Sequence, residues 1–361
     1  MSARSFSLPK TKRRVLLRTA FALLVIFFAA GVGLAGWQIW SRISGRMIEP
    51  VVAGGESGEQ GPRWRSSLNG VAVSGPESEQ EPVVAVMIDN HAAARPQAGI
   101  ARASLVYEVP VEGGFTRYIA VYPLTAPTSS LVIGPVRSAR PYAVEIGTEL
   151  SAMYAHVGGS NEALDVIGKI GTWDFNEYSR GQYFHRADDR DAPHNVMTDT
   201  VQLRAGYDRY FGARTIARSG WRWNDAPVAT GTIANVLTID WAERGNEVTW
   251  EYVAASRTYQ RTRGAIAHVD ADGAPVIANT IIVQRVTTKV LDTEGRLRVD
   301  LVGTGTGDLF RDGRRIPITW SKKSSTDRTQ WLDATTGEPV AFRSGSVWVE
   351  VVPKNVGLSV R

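Results

Sequence analysis

The stretch VVAVMIDNH, residues 83–91, decides the expected fold, because it is a continuous apolar run that ends in polar residues. Such a run is typical of a buried strand. Asp89 and His91 stand where the strand ends, and in open α/β sheets the ligand groups often lie at that end. The sequence therefore predicts that a buried strand opens the first folded domain and carries candidate binding residues at its end.

Strands and helices are mixed after this first strand. The further predicted strands lie at residues 103–109, 115–123, 130–133 and 152–157, and the predicted helices lie at 142–150 and 161–170. Apolar residues of the second helix fall on one side at helical spacing. A mixture of this kind indicates an α/β or α+β unit, which we assign to residues 83–206 as a ligand-binding domain.

The C-terminal part of the chain reads as mostly β. Residues 207–228 show no periodicity and are predicted to form a connector, followed by a β-rich domain over residues 229–361. Its predicted strands lie at residues 233–241, 248–255, 280–290, 297–302, 315–320 and 346–352. The glycine run 303–307 precedes a predicted hairpin rather than a helix, so it is interpreted as turn and bulge glycines and not as a dinucleotide loop.

An apolar segment near the N-terminus predicts a membrane anchor. Residues 19–40 are 22 residues without a charge, enough to span a hydrocarbon core of about 30 Å as a helix. The basic residues 1–18 form a predicted cytoplasmic tail, and residues 41–82, rich in Gly, Ser, Glu and Pro, form a predicted flexible linker. A cleaved signal peptide remains the alternative interpretation of the apolar segment. The full expected fold is thus α+β, with an N-terminal transmembrane helix, a mixed α/β first domain and a mostly β second domain.

The charge of the chain does not indicate nucleic-acid binding. The 361 residues carry a formal net charge of +5, but six basic residues precede residue 40, and without them the remainder falls to −1. A near-neutral body lacks the broad basic face that phosphate-backbone binding requires. The chain has no cysteine, which excludes disulfides and a lipid-modified N-terminal cysteine. We therefore expect a single-pass membrane protein whose C-terminal domains lie outside the cytoplasm, with no nucleic-acid partner.

The densest polar motif lies in IGPVRSAR and YAHVGGS. Arg137 and Arg140 are three residues apart, and His156 is followed by a glycine turn that leads to Ser160. Guanidinium groups hold anions through paired hydrogen bonds, and a glycine turn exposes backbone N–H groups. This spacing predicts an anion-binding site.

Other polar residues in loop-like stretches of the first domain join this prediction. Loops on a rigid scaffold are where binding sites usually form. The predicted ligand-binding set is Asp89, His91, Arg95, Glu112, Arg117, Arg137, Arg140, His156, Ser160, Arg186, His194 and Asn195. The spacing of the histidines matches no compact metal motif, so no metal site is predicted. His194 is also a candidate general base.

The motifs VMIDNHAAARPQAGI, YEVPVEGGFTRYIAVY, IGPVRSARPY, YAHVGGS and APHN resemble the YerB-like bacterial envelope proteins, as does the C-terminal TWSKKSSTDRTQWLDATTGEPVAFRSGSVWVEVVP. This resemblance covers nearly the whole predicted extracytoplasmic part, about residues 83–353. It implies an exported, membrane-tethered protein with two paired domains, and it supplies no reaction. Many members carry a cysteine for lipidation, whereas here the transmembrane segment would replace the lipid anchor.

A second, shorter resemblance is to the LytR-CpsA-Psr enzymes, which transfer glycopolymers linked to polyprenyl pyrophosphate. It implies that Arg137 and Arg140 hold a pyrophosphate, and that Asp89 or Glu112 helps hold a divalent ion such as Mg²⁺ or acts as a base. The acidic residue that usually follows the loop arginine in that family is missing here.

Three functional hypotheses follow from the sequence. The leading one is a membrane-anchored extracytoplasmic protein that binds an anionic, phosphate- or pyrophosphate-bearing ligand of the cell envelope, such as a polymer or a lipid-linked molecule, without a cofactor. The first alternative is a phosphoryl or glycopolymer transferase that uses the same arginines, the one hypothesis under which Mg²⁺ is expected. The second alternative is a structural interaction module in which the polar motifs form an internal hydrogen-bond network.

Overall fold

The computed structural model of the protein describes residues 64–76, 80–125, 129–216, 218–241 and 247–361. The predicted cytoplasmic tail and the predicted transmembrane segment, residues 19–40, lie outside these residues. Within them, no helix combines the length and the apolar character needed to cross a membrane. The described residues belong to one compact unit, Gly61–Arg361.

The first half of the described chain mixes strands and helices as the sequence predicts. Its strands are β1 (Val83–Asp89), β2 (Leu105–Pro110), β3 (Thr116–Pro123), β4 (Val132–Ile133), β5 (Met153–His156), β6 (Trp173–Asn176), β7 (His185–Arg186) and β8 (Val196–Asp199). Its helices are α1 (Pro141–Glu149), α2 (Asn161–Ile170), α3 (Glu177–Arg180) and α4 (Thr200–Tyr210), and single 3-10 turns cover Ala92–Ala94, Ile100–Arg102, Glu112–Gly114 and Gly181–Tyr183. Helix α2 begins at the side-chain cap of Ser160 and ends at Gly171, which has a left-handed φ of 71°.

The second half is built from strands. They are β9 (Arg222–Trp223), β10 (Thr232–Ile233), β11 (Val236–Asp240), β12 (Val248–Val253), β13 (Thr258–Arg263), β14 (Ile266–Ala267), β15 (Ile277–Ala278) and β16 (Thr280–Val286). The chain continues with β17 (Thr288–Val290), β18 (Leu297–Val299), β19 (Gly303–Arg311), β20 (Arg314–Lys322), β21 (Gln330–Asp333), β22 (Ala341–Phe342), β23 (Val347–Pro353) and β24 (Gly357–Val360). The mixed α/β character and the predominance of strands in the C-terminal part are confirmed.

One large sheet runs through both halves of the chain. Its strand order is β10-β20-β19-β16-β23-β2-β3-β1-β5-β6, with β21 attached to β20. Strand β23, near the C-terminus, pairs in parallel with β2 of the first half, and β1 pairs in parallel with β5. The carboxyl ends of β1, β2 and β5 therefore lie at one edge of this sheet, the position at which ligand groups collect in sheets of this kind.

Both faces of the large sheet are covered, which explains why every residue of β1 is buried. On one face, Ala85 and Met87 belong to the same core as Tyr142 and Ile146 of α1. On the other face, the alternate residues of β1 share a core with Trp250 of β12 and with the rest of a second, six-stranded sheet. Strands buried on both faces carry continuous apolar runs, as VVAVMID does.

Two segments differ from the sequence expectation. The glycine run 303–307 is part of strand β19, and a Cβ on Gly305 would come within 2.5 Å of the indole nitrogen of Trp320. Gly305 therefore allows a tryptophan of β20 to lie against the strand, and the run lies within a strand and not in a turn. The start of the predicted connector, residues 207–210, is the last turn of α4, whose few apolar residues give weak periodicity.

The segment that precedes β1 packs on the folded unit. Leu68 is fully buried, and the guanidinium of Arg218 donates to the Ser67 hydroxyl, to the Glu81 carbonyl and to the Leu150 carbonyl at 3.0, 2.8 and 3.1 Å. The sequence assigns residues 41–82 to a flexible linker, whereas the structure holds residues 64–73 against the body through these contacts.

A buried charge cluster fastens α1 to the C-terminal half. The Glu149 carboxylate accepts hydrogen bonds from Lys322, from Arg328 at 2.9 Å and from Thr329 at 2.9 Å. One turn earlier, burial raises the pKa of Glu145 to about 7; the charge of Lys322 opposes this rise and that of Glu149 adds to it. The folded state therefore holds a proton on Glu145 that the unfolded chain releases above its ordinary pKa of 4.5.

We predict that Glu145→Gln stabilises the protein at high pH. The stability that comes from the raised pKa is complete below about pH 4.5 and is lost as the pH rises through about 7, because the charged carboxylate is then buried. Since Glu145 keeps partial contact with solvent, screening reduces the effect to about 1–2 kcal/mol at pH 8. The free energy of unfolding in urea, measured at pH 5 and at pH 8, should show a gain several-fold larger at pH 8 than at pH 5. Glu251→Gln, at an exposed position of β12, is the control, and an equal effect of Glu145→Gln at both pH values would contradict the prediction.

Candidate functional site

The carboxyl edge of the large sheet carries a cavity of about 250 Å³. Asp89, the last residue of β1, lies opposite Arg117 of β3 in the strand register, and both line this cavity. The lining residues are Asp89, His91, Val111, Glu112, Phe115, Thr116, Arg117, Arg137 and His194. Six residues of the predicted binding set therefore meet here, although they come from four separate stretches of the chain.

The backbone of Arg137 is fixed between two strands. Its N–H donates to the carbonyl of Met87 in β1 at 2.8 Å, and its carbonyl accepts from the N–H of Val157, directly after β5, at 3.1 Å. Gly134 starts this segment with φ 150°, and a Cβ there would lie 2.8 Å from the sulfur of Met197, so the close approach requires glycine. Arg137 thus projects from a rigid frame and not from a mobile loop.

The two arginines of the RSAR motif have different surroundings. All the nitrogens of the Arg140 guanidinium are used: Nε and Nη2 donate to the two carboxylate oxygens of Glu112 at 2.6 and 2.8 Å, and Nη1 donates to the Ala139 carbonyl. The Nε of Arg137 forms an ion pair with Asp89 Oδ2 at 2.9 Å, and its side chain is 20% exposed. Its two Nη nitrogens make no hydrogen bond to any residue that the structure describes. Both Nη nitrogens of Arg137 can therefore donate to a ligand in this cavity, whereas three of the five N–H groups of Arg140 are already used inside the protein.

Asp89 organises one wall of the cavity. Its Oδ2 accepts from Nδ1 of His194 at 2.6 Å, and its Oδ1 accepts from the backbone N–H of His91 at 3.0 Å. Burial by itself raises the pKa of a carboxyl group, but the charge of Arg137 and the hydrogen bonds from His91 and His194 hold the pKa of Asp89 below its usual value. Asp89 is therefore a carboxylate that positions Arg137 and His194 at the same time.

The two histidines of the cavity stack on each other. The ring centroids of His91 and His194 lie 4.5 Å apart with an interplanar angle of 12°, and Phe115 lies 5.3 Å from His91. Nδ1 of His91 accepts from the N–H of Ala93 at 3.2 Å, and the carboxylate of Asp89 can only accept from Nδ1 of His194. In both rings, Nε2 is the nitrogen that these contacts leave for a ligand.

The third arginine of the site, Arg117, is buried next to other positive charges. Its Nη1 donates to the carbonyl of Ser138 at 2.7 Å. Burial lowers the pKa of this guanidinium to about 10, and repulsion from Arg140 and Arg137 adds to the effect, while Asp89 and Glu112 oppose it. An anion bound between Arg117 and Arg137 would relieve this repulsion.

Part of the predicted set lies away from this cavity. His156 is fully buried, with Nδ1 2.7 Å from the Gly158 carbonyl and Nε2 2.7 Å from Asp174. The N–H of Gly158 donates to the Asn176 side chain, and that of Ser160 donates to the Ala139 carbonyl. These two amides of the glycine turn are therefore used inside the protein, contrary to the expectation that the turn offers its amides to an anion.

The other predicted residues support the loops around the cavity. Arg186 donates to the side chain of Asn195 at 2.9 Å and is half exposed, and Arg95 donates to the Asn90 carbonyl at 2.7 Å. Arg190, which is outside the predicted binding set, ties the His194 loop to the His91 loop by donating to the carbonyls of Ala94 and Pro96.

Beneath the cavity lies a buried polar network that the sequence prediction missed. Glu108 of β2 is fully buried and accepts from Thr116 at 2.5 Å, from Arg263 at 3.2 Å and from Arg261. Both arginines belong to β13 of the six-stranded sheet. Their charges hold the pKa of Glu108 below its usual value despite burial, which raises it.

The network reaches the cavity through a histidine and a glutamine. Arg261 donates to Nδ1 of His268 at 2.8 Å, and Nε2 of His268 lies 3.2 Å from the Gln97 side chain. The amide of Gln97 in turn donates to the carbonyl of Asp89 at 3.1 Å. Burial, followed by repulsion from Arg261 and Arg263, lowers the pKa of His268 well below its ordinary value, so His268 is neutral at pH 7. Arg261 of the six-stranded sheet is therefore connected, through His268 and Gln97, to the backbone of Asp89, which organises the cavity.

A second buried carboxyl group, Glu350, accompanies Glu108 in the strand register. Its Oε1 accepts from the indole N–H of Trp250 at 2.9 Å. Burial, together with the charge of Glu108, raises its pKa well above the usual value, so Glu350 stays protonated. The sequence carries one indication of this network: Glu108 and Glu350 are single charges within the apolar strands LVYEVP and VWVEVVP, and a buried charge requires a partner.

The fold and the cavity define a class of protein: an α+β protein with an arginine and histidine cavity at the carboxyl edge of a mixed sheet. Comparison with protein families matches residues 68–212 to the N-terminal domain of a protein of unknown function, DUF3048, and residues 237–349 to the C-terminal domain of the same family. The chain belongs to this family, the YerB-like proteins.

The YerB protein of Bacillus subtilis illustrates the family, both as a sequence relative and as a solved structure. The putative lipoprotein YerB of Bacillus subtilis (strain 168) is 28% identical over 301 residues, which are 81% of this chain and 87% of the relative. The crystal structure of the YerB protein from Bacillus subtilis superposes with a TM-score of 0.71 at 24% identity, covering 82% of this chain and 100% of that chain. The structural likeness supports the fold described above.

We predict that Arg261→Met destabilises the protein by about 3–5 kcal/mol, because it leaves the buried charge of Glu108 without its closest counter-charge. The double variant Glu108→Gln with Arg261→Met should recover part of this loss, since both charges are then removed together. Urea unfolding followed by tryptophan fluorescence measures the free energy of unfolding of the wild type, the single variant and the double variant. Arg298→Met is the matched control: Arg298 forms an ion pair with Asp300 at the surface, where its side chain is 61% exposed. This variant should change the free energy of unfolding by at most about 0.5 kcal/mol. Equal effects of Arg261→Met and Arg298→Met would contradict this account.

Proposed function

We propose that the cavity at the end of β1 binds an oxyanion, of the kind carried by a phosphate or pyrophosphate ester, through Arg137 and Arg117 with His91 and His194. The observation that supports the proposal most strongly is the state of Arg137. Its side chain is largely buried and lines the cavity, yet its Nη nitrogens have no hydrogen-bond acceptor among the described residues. These nitrogens therefore face the cavity without a protein acceptor, and a bound oxyanion would accept charge-assisted hydrogen bonds from them.

The balance of charges supports an anion over a neutral ligand. Arg140 and Glu112 form a closed pair with two hydrogen bonds, so their charges offset each other. Two guanidiniums, those of Arg117 and Arg137, then face the single carboxylate of Asp89. The cavity therefore carries an excess of one positive charge before any charge on the histidines is counted, and low local polarity strengthens the attraction for an anion.

We further propose that this site works outside the cytoplasm, on a ligand of the cell envelope. The relative from Bacillus subtilis is named a putative lipoprotein, which supports an envelope location. This chain has no cysteine to carry a lipid, but it has the uncharged residues 19–40, which we propose as a single-pass membrane anchor that places the C-terminal domains outside.

We predict that Arg137→Ala weakens the binding of inorganic phosphate and pyrophosphate about 10- to 100-fold. A hydrogen bond to a charged group contributes about 1.5–3 kcal/mol, and the variant removes the donors that are aimed at the ligand. Isothermal titration calorimetry on the full chain in detergent measures this loss. Arg137→Lys should recover the charge but only part of the affinity, because an ammonium lacks the planar two-donor geometry of a guanidinium.

Arg102→Ala provides the matched control, since Arg102 is an exposed arginine paired with Asp272 on the surface. It should leave phosphate binding unchanged. If the wild-type protein binds neither phosphate nor pyrophosphate, or if Arg137→Ala and Arg102→Ala bind them equally well, the anion site is contradicted and the structural interaction module is the better hypothesis.

One observation favours a second candidate function, a phosphoryl or glycopolymer transferase. Asp89 accepts from Nδ1 of His194, the arrangement by which a carboxylate orients an imidazole for acid–base chemistry next to a bound phosphate. Turnover of a lipid pyrophosphate substrate in the presence of Mg²⁺, which His194→Ala lowers far more than it lowers phosphate binding, would establish this candidate. Binding without turnover would leave the anion-binding function alone.

A further inference from the structure

A second polar cavity, of about 410 Å³, adjoins the first. Its lining residues are Glu112, Ser138, Arg140, Gly159, Ser160, Glu294 and Arg296. Glu112 lines both cavities, so the two are neighbours across the Glu112–Arg140 ion pair. The outer wall comes from the turn between β17 and β18, in the second half of the chain.

Contacts at both ends hold this outer wall in place. Within the turn, Nε of Arg296 donates to Asp292 at 2.5 Å, and Arg296 also lies 3.4 Å from the carboxylate of Glu294. Across the cavity, Nη1 of Arg296 lies 3.6 Å from the carboxylate of Glu162 in α2. This exposed ion pair places the turn beside α2, and the space between them is a cleft that opens to solvent.

The lining of the second cavity differs in chemistry from that of the first. Its residues include two glutamates, two arginines and two serines, so they offer both donors and acceptors and their formal charges sum to zero. A second phosphate group would meet the carboxylates of Glu112 and Glu294, and the lining offers no aliphatic or aromatic side chain to an apolar group. Hydroxyl groups, each of which donates and accepts, match such a lining.

We propose that the second cavity binds the polyhydroxyl part of a ligand whose phosphate occupies the first cavity, so that the ligand class is a sugar phosphate or a polyol phosphate. This inference rests on the proposed anion site. Size supports it: the first cavity alone falls below the roughly 300–1,000 Å³ that small-molecule sites usually occupy, and the two together fall within that range.

Ser138 connects the two cavities in a way that a substitution can test. Its carbonyl accepts from Arg117 in the first cavity, while the residue also lines the second. Ser138→Ala removes the hydroxyl and keeps that carbonyl. Glu294 is exposed on the turn, with 73% of its side chain accessible, so Glu294→Gln changes the lining without disturbing the core.

The test is a calorimetric comparison of three probes on the full chain: inorganic phosphate, glucose 1-phosphate and glycerol 3-phosphate. We expect the wild-type protein to bind at least one of the two esters about tenfold or more tightly than inorganic phosphate. The double variant Ser138→Ala with Glu294→Gln should abolish this preference and leave the affinity for inorganic phosphate unchanged. Glu251→Gln, outside both cavities, should retain the preference. Which ester gains affinity distinguishes a cyclic sugar from an acyclic polyol.

Two results would overturn the inference, and they differ. If inorganic phosphate binds and neither ester binds more tightly, or if the double variant keeps the preference, the polyhydroxyl site is wrong and the anion site stands. If none of the three probes binds, the anion site fails and the polyhydroxyl site fails with it.

Discussion

A carboxylate without access to solvent, that of Glu108, determines how the parts of this protein fit together. Its charge must be neutralised inside the structure, and the two guanidiniums that do so, Arg261 and Arg263, come from the six-stranded sheet. The large sheet and the six-stranded sheet are thus packed in one relative position, since any other would bury a charge without its partner. The same network continues through His268 and Gln97 to the backbone of Asp89.

This arrangement explains how a cavity can keep an arginine ready for a ligand. The backbone carbonyl of Asp89 accepts a hydrogen bond from Gln97 of the network, and its carboxylate accepts one from His194. This carboxylate offsets only part of the positive charge of the neighbouring arginines. Arg137 is fixed through its backbone between β1 and β5. The guanidinium is therefore positioned before a ligand arrives, so little ordering entropy is lost on binding.

Local patterns in the sequence predicted much of the fold but only part of the site. Helix α2 occupies the predicted residues, because its apolar spacing, its serine cap and its final glycine are all local. Asp89, Arg137 and His194 each belong to the predicted binding set for a local reason, namely a strand end, an arginine pair and a polar loop. The pairing of Arg140 with Glu112, 28 residues away, and of Arg261 with Glu108, 153 residues away, depends on strand order and register, which no local pattern contains.

The measurement that tests the central claim most directly is anomalous diffraction from crystals of the protein soaked in tungstate, a tetrahedral oxyanion with a strong signal. The account predicts a peak in the cavity at the end of β1, within hydrogen-bond distance of the guanidiniums of Arg137 and Arg117. A cavity without a peak, in crystals where tungstate is bound at other basic residues of the surface, would contradict it.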